Sequence, residues 1–390
     1  MSIFDEVHDR RKTRSVKWDM LQPFFQSEDI IPMWVADMDF RAPDAVNDAL
    51  VKRAEHGIYG YTIIDKDVTD SIVNWQKNEH DWEIKAEWLS FSPGVVTSLH
   101  MAIQAFTEPS DKVLIQTPVY PPFYNVIKAH GREIIKSPLH YQDNYYSIDF
   151  ADFEEKLKSG VKAFILCSPH NPVGRIWTED ELKEIARLCL KYDVLIISDE
   201  IHADLVYPGE RHIPIASLSK EIADKTITCM APSKTFNLAG LEASYTIVIN
   251  EQMRNKLKAQ FSKQGYSNSL NTMANTAIEA AYNHGKSWLD ELVTVLSSHQ
   301  QYVTEMFREH APELKVVQGE GTYLLWIDCS ALGMSNKELK QFFIEKAKVG
   351  LNAGADYGDE GDSFMRMNIA CPKATLVDGV TQIIDAVKNR

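Results

Sequence analysis

The chain has 390 residues, of which 44% are hydrophobic and 25% charged, the balance of an ordinary globular protein rather than a disordered one. That length is generous for a single core, so two packed domains are expected. A formal net charge of -14 and a pI near 5.4 argue against nucleic acid or an anionic membrane as the main partner, while leaving room for a local anion pocket.

In chain order, the first forty residues, with Trp18, Trp34 and several prolines, read as an arm. Residues 1–15 lack the apolar stretch of a signal peptide, and no run approaches the roughly 20 apolar residues that span a bilayer. A soluble, cytoplasmic protein is expected. Ser92-Pro93-Gly94-Val95-Val96-Thr97 precedes a helical pattern reaching about Phe106. Buried strands are predicted at 112–116, 162–167, 194–198, 226–230 and 245–249. Between the second and third of these, Thr178 with Glu181 three residues on predicts a capped helix to Tyr192. Apolar strands separated by helices predict a largely parallel α/β sheet, whose ligands sit at the carboxyl ends of the strands.

Beyond Asn268 the texture changes. Helical spacing runs from about Thr272 to His310, then strand-like segments at 314–318 and 323–328, a helix near 336–347, a strand at 364–369 and a last helix over 375–389. This predicts a smaller α+β domain. The expected division is an arm at 1–45 that joins the small domain, a large domain at 46–285 and a small C-terminal domain at 286–390. The five cysteines carry no C-x-x-C pair, and Cys167, Cys229 and Cys329 lie in apolar runs, so they are read as buried thiols; no metal site is expected.

Three pieces of this framework carry chemistry. Asp199 ends one apolar run, Lys234 follows another, and Asn171-Pro172 makes a turn after a third. A strand-end carboxylate, a loop lysine and a turn asparagine each have bland readings. Together they suit pyridoxal phosphate, which needs an amine for its aldehyde, a carboxylate to keep its pyridine nitrogen protonated, and a donor for its phenolic oxygen. His202, three residues past Asp199, is either packed core or a neighbour of the ring. The glycine and free N–H groups at Gly94-Val95-Val96 form an anion site at a helix N-terminus. Tyr120, beside Pro121-Pro122, can stack a flat ring. Arg366 is a charge inside an apolar strand and needs an anion partner, for which a substrate carboxylate would serve.

With these residues in view the chain resembles the fold-type I pyridoxal-phosphate enzymes of the class I/II aminotransferase superfamily over nearly its whole length. The segments Pro32-Met33-Trp34-Val35-Ala36-Asp37-Met38-Asp39-Phe40, Ser198-Asp199-Glu200-Ile201-His202 and 233–241 resemble the cystathionine β-lyase (C–S lyase) branch of MalY/PatB type. The resemblance implies a mostly parallel seven-stranded sheet in the large domain. It implies a Schiff-base lysine at Lys234, ring partners at Asp199, Asn171 and His202, and stacking by Tyr120. Phosphate contacts fall to Val95, Val96 and Ser233, and substrate contacts to Arg366 and Asp37. It also implies a homodimer with active sites at the subunit interface, in which Tyr61 reaches the neighbour's cofactor phosphate. Tyr61 and Tyr120 join Lys234 as catalytic candidates. One departure is visible: many relatives carry an arginine eight residues after the lysine, where this chain has Glu242.

The activity this implies is β-elimination from L-cystathionine or a related S-substituted L-cysteine. Lys234 takes the Cα proton, the thiolate leaves Cβ as a thiol (homocysteine from cystathionine), and the released aminoacrylate is hydrolysed by water to pyruvate and ammonia. An aminotransferase would share the same residues and differ in where a proton returns. A regulatory protein that merely retains the fold would tolerate loss of Lys234.

Overall fold

A computed structural model describes residues 2–266 and 268–390. Its centre is a seven-stranded sheet with spatial order Leu89–Ser92, Ser244–Ile247, Thr226–Met230, Leu195–Asp199, Val161–Cys167, Lys112–Thr117 and Glu133–Pro138. Six strands run parallel to one another. Ser244–Ile247 runs antiparallel to both neighbours. Here the chain does not make a helical crossover after Thr226–Met230. The link that carries Lys234 turns back directly, and that permits an antiparallel return. The predicted parallel series is interrupted at this one strand.

Helices cover the sheet on both faces, as strands with two buried faces require. Glu179–Lys191 is among them. The Thr178 side chain accepts from the Glu181 backbone and the Glu181 carboxylate accepts from the Thr178 backbone, the capping box expected from the sequence. Its Leu182, Ile185, Ala186 and Cys189 are buried.

A second sheet of four antiparallel strands takes the order Lys315–Val316, Leu324–Asp328, Phe364–Asn368 and Asn352–Ala353. The 25-residue helix Lys286–His310 and the C-terminal helix Lys373–Lys388 pack with it. The N-terminal arm is tied to this half, since Ile31–Pro32 pairs in parallel with Val349–Gly350.

Two predicted helices divide. The 272–310 pattern is Thr272–His284 and Lys286–His310, separated at Gly285, where a Cβ would lie 2.5 Å from both the Ala281 carbonyl oxygen and the Phe236 ring. The 336–347 helix begins as α over Asn336–Gln341 and widens to a π-turn over Phe342–Lys346. All five cysteines are buried free thiols. Among the described residues no helix is long and apolar enough to cross a membrane.

Candidate active site

Four adjacent parallel strands end at one edge of the large sheet. Asp199 closes one of these strands, and Tyr120, Asn171 and Lys234 lie just past the ends of the others. All four line a single cavity of about 200 Å³, with Gly94, Val95, Val96, His202, Ser233 and Glu242 also in its wall. The topology gathers them because parallel strands present the same end to the same side.

Lys234 sits on the single helical turn Pro232–Thr235. Its Nζ donates to the Ala36 carbonyl at 2.6 Å. Burial, with Arg366 adding repulsion, lowers its pKa to about 8, against the opposing pull of Asp37 and Asp199. A minor but accessible share of neutral amine is therefore present near neutral pH, far more than a free lysine offers, as a nucleophile or base requires.

Asp199 is buried, and one oxygen accepts only from the Ile201 amide, at 3.2 Å. Burial pushes its pKa up to about 7, and neighbouring Glu200 pushes the same way. A carboxylate this poorly solvated has an unmet demand for a cationic donor. The protonated nitrogen of a pyridine ring meets that demand. Asn171 is oriented by Arg366, whose Nη1 donates to the Asn171 Oδ1 at 3.1 Å. The amide thus keeps its Nδ2 for a donor role.

Arg366 projects from the central Phe364–Asn368 strand of the small sheet and is nearly inaccessible to solvent. Its Nη2 donates to the Trp34 carbonyl at 2.9 Å and to the Asn352 Oδ1 at 2.7 Å, and the guanidinium lies 5.1 Å from the Tyr357 ring centre. Every one of these partners is neutral, and Nε is buried without an acceptor. No carboxylate of the described residues pairs with it, so the anion expected from the sequence has to come from outside the chain.

At the other end of the cavity, helix Val95–Phe106 starts from Gly94 without a side-chain cap. The first intrahelical bond of this turn is from the Ser98 amide to the Gly94 carbonyl, which leaves the amides of Val95, Val96 and Thr97 for an anion. A Cβ on Gly94 would meet no protein atom within 4 Å. Packing does not demand a glycine there, and the space beside the backbone is open to a ligand. Ser233 flanks Lys234, and Glu242, with φ of 56°, lines the same cavity.

His202 is held neutral, its pKa pushed down to about 3 by burial and by Lys234 and Arg366. Its Nδ1 is buried without a partner. Tyr120 has its phenol pushed up by burial and by Asp199, and so stays protonated. Arg366 lies behind the cavity wall and meets it through Asn171, and two further expected residues stand apart from this group. Asp37 gives both carboxylate oxygens to Arg10, at 3.0 and 2.9 Å, and acts on Lys234 only through its charge. Tyr61 is fully exposed and lies on a surface depression with Lys258 and Asn268 instead of in this chain's cavity.

Sequence reading missed several participants. Ala36 contributes only a carbonyl, which also accepts from the Tyr323 hydroxyl at 3.0 Å, and Trp34 likewise acts through its backbone. Backbone acceptors have no residue signature. Asn352 and Thr97 do carry polar side chains, but neither local pattern marks them.

The donor set fits pyridoxal phosphate: an amine of lowered pKa, an unsatisfied buried carboxylate, an oriented amide and a helix N-terminus in one cavity. Comparison with known proteins agrees. Residues 28–384 match the family described as aminotransferase class I and II. Cystathionine β-lyase PatB of Bacillus subtilis is 47% identical over 381 residues, covering 97% of this chain and 98% of PatB. Cystalysin of Treponema denticola, whose crystal structure contains pyridoxal 5'-phosphate, superposes with a TM-score of 0.96 at 37% identity, covering 99% of this chain and 98% of cystalysin. A pyridoxal-phosphate-bound protein of Clostridium difficile 630, described as a candidate aminotransferase, superposes at 0.97 with 45% identity, covering 98% and 99%.

Proposed function

This chain belongs to the aminotransferase class I and II family, and on that premise we propose that it is a pyridoxal-phosphate-dependent carbon–sulfur β-lyase acting on L-cystathionine or related S-substituted L-cysteines. The observation that carries the lyase over the aminotransferase is the 47% identity to PatB across 97% of the chain. Bound in the cavity, the cofactor supplies an aldehyde for amines and a protonated ring that accepts the electron pair of a breaking Cα–H bond.

The residues divide the remaining work. Asp199 holds the proton on the ring nitrogen, and Asn171 Nδ2 donates to the ring oxygen. Tyr120 covers the ring face, and His202 contributes an uncharged edge. The amides of Val95 and Val96, with Ser233, take the phosphate; the neighbouring Glu242 leaves that phosphate less neutralised than an arginine would. Arg366 takes the substrate carboxylate, for which its unpaired Nε is available. Lys234 Nζ removes the proton from the substrate Cα, and Lys234 or a tyrosine hydroxyl returns one to the departing sulfur. Asp37 supports Lys234 electrostatically, and its direct contact is with Arg10.

We assign the exposed 58–63 segment, with Ile58, Tyr59, Tyr61 and Ile63, to a homodimer contact that carries Tyr61 to the neighbour's phosphate site. We divide the chain into an arm at 1–45, a large domain at 46–285 and a small domain at 286–390, acting in the cytoplasm. The decisive experiment incubates purified protein with pyridoxal phosphate and L-cystathionine in the absence of any keto acid. Pyruvate and homocysteine in equal amounts are expected; a strict requirement for added keto acid would replace the lyase with the aminotransferase.

A further inference from the structure

Lys234 stands on one helical turn, and a single turn has too few internal hydrogen bonds to hold its own geometry. The next residue, Thr235, is completely buried and points away from the cavity. Its hydroxyl donates to the Asp204 Oδ2 at 2.6 Å. The other oxygen of Asp204 receives the Trp75 indole N–H at 3.0 Å and the His80 Nε2 at 2.8 Å, both from helix Lys66–His80. Trp75 is fixed in turn between Tyr282, stacked at 5.0 Å, and Phe236, edge-on at 5.6 Å. Burial opposes ionisation of Asp204, yet His80, Thr235 and Trp75 together hold its carboxyl below the usual range. A buried charge with three side-chain donors is a rigid anchor. It joins the turn after the Asp199 strand, the helix Lys66–His80 and the segment that carries the catalytic amine.

We propose that Asp204, clamped by His80 and Trp75, is a positioning residue for Lys234: by fixing the Thr235 hydroxyl it sets where Nζ meets the substrate Cα proton. This rests on the lyase reading for its reaction but on geometry for its mechanism. Misplacing a reacting group by about 1 Å costs about 100-fold in rate.

The test uses the holoenzyme and the variants Thr235→Val, which keeps the shape and removes the donor, and Thr235→Ser, which restores it. Thr235→Val is expected to lower kcat for pyruvate release about 100-fold with KM changed less than about threefold. It is also expected to move the pH midpoint of the bound cofactor's visible absorbance. Thr235→Ser is expected to recover both. If Thr235→Val is insoluble, His80→Gln (which retains a donor) against His80→Leu makes the same comparison. An unchanged absorbance midpoint with kcat reduced only in step with lost folded protein overturns the proposal, as does wild-type behaviour of Thr235→Val. Should the wild type release no pyruvate, a midpoint that still moves in Thr235→Val and recovers in Thr235→Ser keeps the positioning role and removes only the lyase reading.

Discussion

Lys234 and Asp199 share one enclosed space, and burial moves them toward each other: the amine down from 10.5 to about 8, the carboxyl up from 3.8 to about 7. Each shift weights the stability of the cofactor-free protein against pH. Between 3.8 and about 7 the folded chain keeps the Asp199 proton that the unfolded chain releases, so stability falls as pH rises. Between about 8 and 10.5 the folded chain has already released the Lys234 proton, so stability climbs with pH. The pair therefore places a stability minimum near neutrality. Thermal melts of cofactor-free protein are expected to lose the acid-side slope in Asp199→Asn and the alkaline-side slope in Lys234→Met. In the loaded enzyme Lys234→Ala is expected to lower kcat by about 10³-fold, the usual scale for removing a general base, as read by pyruvate release. Both residues were legible because each follows a buried strand in a sheet whose ligand edge is known in advance. The Trp34 and Ala36 carbonyls were not, since their role depends on which distant side chain arrives.

Elements were most legible where burial is continuous. The 226–230 strand matches its apolar run residue for residue, and the 178–192 helix matches through its cap. Two features depended on contacts that periodicity does not encode. The Ser244–Ile247 strand reads the same in either direction, because its residues are buried on both faces. The break at Gly285 arises because the Phe236 ring occupies the space a side chain would fill. Gly285→Ala is accordingly expected to destabilise the fold by about 1–3 kcal/mol in urea titration through overpacking. Gly240→Ala, where a Cβ meets nothing within 4 Å, serves as the control and is expected to be near neutral.

On the scale of the whole molecule, the 58–63 segment concentrates exposed apolar surface, with Ile58, Tyr59, Tyr61 and Ile63 at 66%, 60%, 112% and 77% exposed. Four large side chains exposed within six residues suit the dimer contact proposed above. Ile63→Asp is expected to shift sedimentation from dimer toward monomer and to weaken cofactor retention with it. Tyr61→Phe is expected to leave the dimer intact and weaken retention alone, by the loss of one hydrogen bond to phosphate, about 1–2 kcal/mol or roughly tenfold.

The bond between Arg366 and Asn171 has a consequence for selectivity. In the proposed reaction one guanidinium would both take the incoming acid group and grip the amide that would face the cofactor, so recognition and activation would share a joint. A decarboxylated thioether amine would leave that joint slack. Such compounds are expected to occupy the enzyme and react sluggishly, so that the penalty for a missing acid group shows in turnover more than in occupancy.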